Sequence, residues 1–233
     1  MQTVKVWDLP VRLFHWLLVA SIAALFITGK MDDAIALHGK IGIFVVGLLV
    51  FRVLWGFIGS TYARFLQFFP TPARIFAYLK GEWRGLGHNP LGALSVFALL
   101  FLTALQTGLG LLAYDEISFH GPLSALVGDD LAVRFTGWHQ TLAYVLLAFV
   151  GLHAASIVFY KFVQKHDLLL PMLTGRAEVP ENAPLPPAKD GSIKSLLLAL
   201  ALAAFSLWAA CGTWIAWIEP EAPLPAAVET PAW

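Results

Sequence analysis

Five apolar segments, in which charged residues are rare, dominate the pattern along this chain. They cover residues 11–29, 38–59, 91–113, 138–162 and 194–218. A helix needs about 20 predominantly apolar residues to cross the hydrocarbon core of a bilayer. Each segment is long enough to span, so the pattern predicts an all-α membrane protein with five transmembrane helices.

Residues 60–90, between the second and third segments, mix basic side chains with many aromatic ones. This mixture is typical of a short amphipathic helix that lies in the membrane interface. Thr71-Pro72 predicts the start of that helix, because threonine caps helices and proline is favoured in their first turn. Asn89-Pro90 predicts a capped start for the third span in the same way.

The remaining pattern divides the chain into four parts. Residues 1–162 form a predicted four-helix core, and residues 194–218 form a fifth transmembrane helix. Residues 163–193 are polar and proline-rich, which predicts an exposed loop. The tail, residues 219–233, is rich in proline and alanine and predicts an extended segment. The expected fold is a four-helix transmembrane bundle plus a fifth C-terminal transmembrane helix.

The composition agrees with a membrane location and restricts the chemistry. Of the 233 residues 58% are apolar and only 13% are charged, whereas soluble domains have about 25% charged residues. The net charge is zero, so the overall balance suggests no nucleic-acid partner. The single cysteine, Cys211, excludes an internal disulfide, a covalent CxxCH haem site, a cysteine-ligated cluster and a structural zinc site. Any haem therefore has to be non-covalent and held by histidine.

The distribution of basic residues predicts the orientation in the membrane. With the N-terminus inside, eleven Lys and Arg residues lie on the cytoplasmic side and three on the other. Such an excess is the positive-inside pattern, so we expect a cytoplasmic loop at 163–193 and a C-terminus outside. The cytoplasmic set is Lys5, Arg12, Arg64, Arg74, Lys80, Arg84, Lys161, Lys165, Arg176, Lys189 and Lys194, and the opposite set is Lys30, Lys40 and Arg134.

His139 and His153 lie fourteen residues apart in one apolar segment. On an α-helix fourteen residues rise about 21 Å and rotate about 40° short of four full turns. The two side chains therefore share one helix face at opposite depths of a hydrocarbon core about 30 Å thick. Because an imidazole inside a membrane is costly, this placement predicts a function. It suits two flat, axially ligated cofactors, one near each membrane surface.

Two further histidines supply a partner at each depth. The predicted topology places His15 near the cytoplasmic end of the first helix and His38 at the outer end of the second. Depth then pairs His15 with His153 and His38 with His139. Two histidines at matching depth are what axial ligation of a haem requires, so the sequence predicts two b-type haems.

Other interpretations of these histidines stay open for each residue alone. Any one of them could be a buried, hydrogen-bonded side chain, and the interfacial interpretation is strongest for His38 beside Gly39 and Lys40. A histidine-lined proton path is a second alternative. Relays usually need acids as well, and none of the five apolar segments has an interior Asp or Glu.

Four basic residues are candidate partners of haem propionates. Arg52 lies well inside an apolar segment, fourteen residues after His38, and Arg12 lies three residues before His15. A guanidinium binds a carboxylate bidentately, although Arg52 could instead snorkel to the headgroups. On the outer side Lys40 and Arg134 are candidates that could equally be solvated.

Several glycines and three more histidines complete the candidate list. The glycines remove side-chain bulk where a macrocycle would fit, although glycine also favours ordinary helix packing in membranes. The expected default for the additional histidines is a surface position, with His88 able to reach a haem or a quinone and His120 a redox partner. The glycines are Gly42, Gly47, Gly108, Gly110 and Gly151, and the histidines are His88, His120 and His166.

Four stretches of the chain resemble the bacterial cytochrome b561 family, which includes the b-type subunits of membrane-bound nickel–iron hydrogenases. The resemblance covers about residues 4–162. It implies two b haems with two histidine ligands each, and the family's ligands map onto His15, His38, His139 and His153. It also implies a bacterial inner membrane and electron exchange with a quinone. The stretches are VWDLPVRLFHWLLVASIAALFITGK, LHGKIGIFVVGLLVFRVLWGFIGSTYARF, GHNPLGALSVFALL and WHQTLAYVLLAFVGLHAASIVFY.

The functional hypothesis follows from the ligand count. Two histidines per iron leave no open coordination position, so the haems should pass electrons rather than perform bond chemistry. We expect a membrane subunit that links the quinone pool to a periplasmic hydrogenase, another oxidoreductase or a c-type cytochrome. A bound quinone is part of this expectation, although no motif marks its site. The alternatives are a self-sufficient superoxide:ubiquinone oxidoreductase, which the acidic outer surface disfavours, and a haem-free scaffold.

Overall fold

The computed structural model describes residues 2–83, 85–179, 181 and 188–217. Five of its helices are long and apolar enough to cross a membrane, namely α1, α2, α5, α6 and α8. The all-α membrane architecture predicted from the sequence is confirmed. The helices are α1 (Leu9–Thr28), α2 (Ile35–Ile58), α3 (Phe65–Phe68), α4 (Pro72–Leu79), α5 (Pro90–Leu111), α6 (Asp129–Phe162), α7 (Leu169–Thr174) and α8 (Ile193–Ala210), and the strands are β1 (Gln2–Lys5) and β2 (Arg176–Val179).

The predicted helix starts at residues 72 and 90 are confirmed by their caps. The Thr71 side chain accepts a hydrogen bond from the Arg74 backbone N–H at 3.3 Å. Asn89 accepts one from the Gly92 N–H at 2.7 Å. Each cap satisfies a backbone donor in the first turn, where the helix itself offers no acceptor.

Two transmembrane helices differ from the predicted bounds. Helix α6 begins at Asp129 rather than at residue 138. Its first turn carries two aspartates, which the helix dipole favours there. Helix α8 ends at Ala210 rather than near 218, since Gly212 adopts a left-handed backbone with φ of 69° that breaks the helix.

Helix α2 is the centre of the bundle. It packs against α1, α5 and α8, while α6 packs closely against α5. The face of α8 on α2 is built from small residues such as Ala199 and Ala203, which are buried. A Cβ at Gly47 of α2 would lie 2.7 Å from the Leu207 side chain of α8. Gly47 is thus a helix-packing residue, and the fifth span is an integral part of the bundle.

Part of the predicted loop 163–193 forms regular structure instead. It contains α7 and strand β2, which pairs antiparallel with β1 so that Gln2 lies opposite Val179 and Lys5 opposite Arg176. Gly175 accepts hydrogen bonds from the next two residues of the N-terminal segment, and Lys5 forms an ion pair of 2.6 Å with Asp190. The exposed loop predicted from the sequence thus contains a short helix and a strand that its pattern did not indicate. The tail 219–233, Arg84 and residues 182–187 lie outside the described residues.

The main hydrophobic core lies where this segment meets the first two spans. Trp55 is 2% exposed, and its indole N–H donates to Asp8 at 2.8 Å. Asp8 also caps α1 by accepting from the Val11 N–H at 2.8 Å. The best-packed part of the molecule is therefore the end at which α1 starts and α2 finishes. The core comprises Val6, Trp7, Val11, Phe14, Leu48, Phe51, Trp55, Tyr62, Ala63, Ala199 and Ala203.

Candidate cofactor-binding site

The structure brings His38 and His139 together. His38 lies in the first turns of α2, and His139 lies three turns into α6. Their ring centroids are 6.0 Å apart and their planes are inclined at 82°. Both side chains are half-buried between the helices. The pairing predicted from membrane depth is thus present in the fold.

Both rings of this pair are held by backbone carbonyls. The Nδ1 atom of His38 lies 3.1 Å from the Leu25 carbonyl oxygen, and that of His139 lies 2.9 Å from the Gln106 carbonyl oxygen. A carbonyl only accepts, so each Nδ1 carries the proton and donates. The Nε2 atoms are then left as unprotonated lone-pair donors, which is the tautomer that a metal requires.

The spacing of the rings agrees with a shared metal. A metal–imidazole bond is about 2 Å long, which puts the ring centroids of two trans imidazoles about 6 Å apart. The observed separation of 6.0 Å matches this value. Across the described residues no three His, Cys, Asp or Glu side chains converge on one point that could hold a bare metal ion. A pair of neutral imidazoles suits a metal whose other ligands come from a macrocycle.

Two glycines give these rings their positions. A Cβ at Gly110 would lie 2.9 Å from Cε1 of His139, and a Cβ at Gly29 would lie 3.1 Å from the His38 ring. Gly110 was predicted to remove bulk at a cofactor, whereas Gly29 was missed. Its position just after the first span looks like an ordinary helix end. A Cβ would meet no atom within 4 Å at three other glycines, so close packing of helices does not explain them. These are Gly42, Gly108 and Gly151.

The second predicted pair, His15 and His153, lies at the other end of α6. Both side chains are half-buried and lie within electrostatic range of each other. Helices α1 and α6 are not a closely packed pair among the described residues. The Nδ1 atom of His15 is buried and has no hydrogen-bond partner among the described residues.

His88 belongs to this end of the molecule and is not a surface residue as expected. Its ring lies between Trp7 and Phe68, with 4.5 Å between centroids on each side. Burial, and then the positive charges of Arg52, His153 and His15, lower the pKa of His88 to about 3. The imidazole is therefore neutral. The residues that cover it come from the segment between β1 and α1 and from α3, so no local pattern around residue 88 could have shown its burial.

The structure separates the four candidate propionate partners into two kinds. Arg52 is 3% exposed, donates to the Ala63 carbonyl at 3.2 Å and lies 4.6 Å from the Phe65 ring centroid, so it does not snorkel. Arg12 donates to the Leu173 carbonyl at 2.5 Å, while its Nε is buried without a partner among the described residues. The other two are exposed, as the solvated interpretation expects. They are Lys40 and Arg134.

These features define a helical membrane protein in which the His38 ring lies close to the His139 ring and His15 lies within electrostatic range of His153. The sequence model of the prokaryotic cytochrome b561 family matches residues 6–175, and the chain belongs to this family. It is therefore a membrane electron-transfer protein of the b-type, haem-binding class. Helix α8 lies beyond the matched residues.

Three curated proteins illustrate the relationship. The probable Ni/Fe-hydrogenase B-type cytochrome subunit of Azotobacter vinelandii is 26% identical, with 74% of this chain and 87% of the relative covered. The probable Ni/Fe-hydrogenase 1 B-type cytochrome subunit of Escherichia coli K12 is 22% identical, with 73% and 88% covered. The corresponding protein of Cupriavidus necator is 25% identical, with 73% and 85% covered. No solved structure matches the chain.

Proposed function

We propose that this chain is a di-haem cytochrome of the bacterial inner membrane that carries electrons between the quinone pool and a periplasmic redox partner. The observation that carries this proposal is the His38–His139 pair. Its ring spacing of 6.0 Å and its two carbonyl-held Nδ1 atoms suit axial ligation of one haem. The His15–His153 pair supplies a second site on the same helix α6.

Each proposed haem site has its own histidine ligands and its own basic residues. His38 and His139 hold one iron, and His15 and His153 hold the other. Arg12 and Arg52 provide guanidinium groups at the His15–His153 end, where buried propionates need charge partners. Exposed Lys40 and Arg134 serve the other end from the aqueous side.

The chemistry at the iron is restricted to electron transfer. Bound haem supplies a one-electron couple, and two histidines leave no position for oxygen or substrate. The fourteen residues between His139 and His153 separate the two sites by about 21 Å along α6. Haems held by these two histidine pairs would supply a one-electron couple near each surface of a hydrocarbon core about 30 Å thick.

The orientation follows from the positive-inside pattern. Basic residues of α4 and of the α7–β2 segment lie at the end that also holds His15 and His153, which supports a cytoplasmic location for that end. The His38–His139 pair then lies near the periplasm. The relatives are named as hydrogenase subunits, so we propose a hydrogenase as the periplasmic partner. The acidic outer surface is unfavourable for attracting superoxide, which argues against the self-sufficient oxidoreductase.

The test is haem stoichiometry and potential on the purified protein. We expect two non-covalent haems per chain, low-spin reduced-minus-oxidised spectra, and two separable midpoint potentials in a redox titration. Membranes that contain the hydrogenase and this chain should reduce added quinone with hydrogen, and membranes without this chain should not. One haem per chain would remove one histidine pair from the proposal, and none would overturn it.

A further inference from the structure

Gln106 is a glutamine inside the transmembrane helix α5, and its side chain reaches across to His139 of α6. A polar side chain in a membrane span is costly unless it is hydrogen-bonded. Its neighbours on α5 are satisfied within their own helix, since the Thr103 and Thr107 hydroxyls each donate at 2.7 Å to the carbonyl four residues earlier. Gln106 instead bonds across the helix interface, so its presence calls for an explanation.

Residues 106 and 139 are joined by two hydrogen bonds that run in opposite directions. The Gln106 backbone carbonyl accepts from the His139 Nδ1–H at 2.9 Å, and the Gln106 side-chain Nε2 donates to the His139 backbone carbonyl at 3.0 Å. The opposite orientation of the amide would place two acceptors against each other. The two bonds together hold both the ring and the backbone of His139 against one residue of α5.

The His38 ring shows what the side-chain bond adds. Its Nδ1 lies 3.1 Å from the carbonyl oxygen of Leu25, a residue whose side chain is apolar. Any residue supplies a backbone carbonyl, so a glutamine is not needed at position 106 to accept the Nδ1 proton of His139. The contribution particular to Gln106 is the amide, which fixes the position of its own carbonyl relative to the His139 ring.

The surroundings of this amide agree with a positioning role. Gly110 lies one turn after Gln106 on the same face of α5 and leaves room for the ring, since a Cβ there would lie 2.9 Å from Cε1 of His139. The Oε1 atom of Gln106 is buried and has no hydrogen-bond partner among the described residues. An unpaired buried acceptor is costly, and an apolar side chain would avoid that cost. The donor side of the amide therefore accounts for the glutamine.

We propose that Gln106 is a positioning residue of the His38–His139 haem site, whose side-chain amide holds α5 against α6 so that the His139 Nδ1–H stays bonded to the Gln106 carbonyl. An imidazole that donates to a carbonyl is a more basic ligand and favours ferric iron, which lowers the midpoint potential. The inference rests on the proposed function, because it concerns the ligand of a proposed haem. It gives α5, which carries no histidine, control over the potential of one haem.

The test is a redox titration of the full-length holoprotein. Gln106→Met nearly keeps the length and volume of the side chain but removes the amide. Loss of one hydrogen bond changes an equilibrium by about 3- to 10-fold. We therefore expect the midpoint potential of the His38–His139 haem to rise by about 30–60 mV, at about 59 mV for each factor of ten. The other potential should not change, and His38→Ala and His15→Ala assign each potential to its haem.

The matched control is Gln140→Met, which makes the same chemical change at the residue next to His139. Gln140 is exposed on the surface of α6, so both potentials should stay unchanged. The EPR spectrum of the low-spin ferric haems is a second readout. Its g values depend on the angle between the two imidazole planes, which is 82° for His38 and His139. Gln106→Met should change the signal of that haem alone.

The outcomes separate this inference from the proposed function. A higher potential and a changed EPR signal for one haem, or loss of the His38–His139 haem alone, support the positioning role. Unchanged potentials in Gln106→Met, or an equal shift in Gln140→Met, overturn it and leave the di-haem function intact. Loss of both haems would show that Gln106 holds the bundle together, which also overturns it. An unaltered protein without a haem at His38 and His139 would instead contradict the proposed function.

Discussion

The two histidine pairs of this cytochrome are supported in different ways. The Nδ1 atoms of His38 and His139 donate to backbone carbonyls, so both rings are oriented before a haem is bound. The Nδ1 of His15 has no partner among the described residues. That end is instead enclosed by the main hydrophobic core and by the β1–β2 pairing. One site is fixed by local hydrogen bonds and the other by the packing around it.

This difference teaches where each site is vulnerable. Carbonyl-held rings depend on the close approach of α1 to α2 and of α5 to α6, where Gly29 and Gly110 allow contact. The His15 ring instead depends on the packing of residues that are far apart in the sequence and that enclose this end of the bundle. We therefore expect substitutions at the two ends to affect the two haems separately.

The largest expected effect is the loss of one haem from each histidine variant. His38→Ala or His139→Ala should remove the haem of that pair and leave the other, since an iron with one protein ligand is held weakly. His15→Ala or His153→Ala should do the converse. Haem content and redox titration measure the result.

The control for these variants is His166→Ala, which changes an exposed histidine and should retain both haems. Loss of the same haem from His15→Ala and His38→Ala would contradict the pairing by depth.

The second-largest expected effect comes from adding a side chain at Gly110. A Cβ there would lie 2.9 Å from Cε1 of His139, so Gly110→Ala should displace that ring and weaken haem binding at its pair by about 10-fold. Gly137→Ala is the matched control, because a Cβ at Gly137 meets nothing within 4 Å. Haem retention during dilution and the potential of each haem are the measurements. A loss confined to the His15–His153 haem would contradict the assignment.

Asp8→Ala should destabilise the opposite end. It removes the cap of α1 and leaves the Trp55 indole N–H unsatisfied in the core, which costs about 1–3 kcal/mol. In a thermal ramp monitored by Soret absorbance, the His15–His153 haem should be released at a lower temperature than in the unaltered protein. Exposed Asp32 provides the control variant, Asp32→Ala. Release of both haems together at a lower temperature would show that the two ends are not independent, and unchanged release of both would contradict the role of Asp8.

The sequence predicts local features of this molecule well. The apolar segments and the caps at Thr71 and Asn89 depend on residues a few positions apart, and the structure confirms them. Fourteen-residue spacing on one helix likewise places His139 and His153 on a common face. The depth argument paired His38 with His139, whose ring centroids lie 6.0 Å apart, because a bilayer turns position along a span into position in space. The pairing of His15 with His153 as ligands of one haem stays a prediction.

The features that sequence reasoning missed depend on contacts distant in the chain. Strand β1 precedes the family-matched region and pairs with β2, which follows it, and four-residue strands carry too little pattern to be recognised. His88 is covered by Trp7 and Phe68, which approach from different directions. Gly29 matters only because the His38 ring lies against it. No local periodicity encodes such contacts.

The smallest expected effect concerns the loop between α5 and α6. Asp115 accepts hydrogen bonds from the backbone N–H groups of Ile117, Ser118 and Phe119. Burial alone would raise the pKa of Asp115, but these bonds outweigh it and hold the pKa well below its ordinary value. A depressed folded-state pKa gives stability that is present above the unfolded value of about 4 and is lost as the pH falls below it.

Asp115→Ala should therefore increase the hydrogen exchange of this loop at neutral pH. Lowering the pH should increase the exchange only in the unaltered protein, because the variant has no carboxylate at this position to protonate. A Cβ at Gly39, beside His38, would lie 3.1 Å from the Phe119 ring, so the loosened loop should shift the potential of the His38–His139 haem slightly and leave the other unchanged. Hydrogen exchange of residues 117–119, corrected for its intrinsic pH dependence, measures the loosening. Glu116→Ala removes a neighbouring carboxylate from the same loop and is the control. Equal exchange in Asp115→Ala and the unaltered protein would show that the loop is held by its packing and not by the carboxylate.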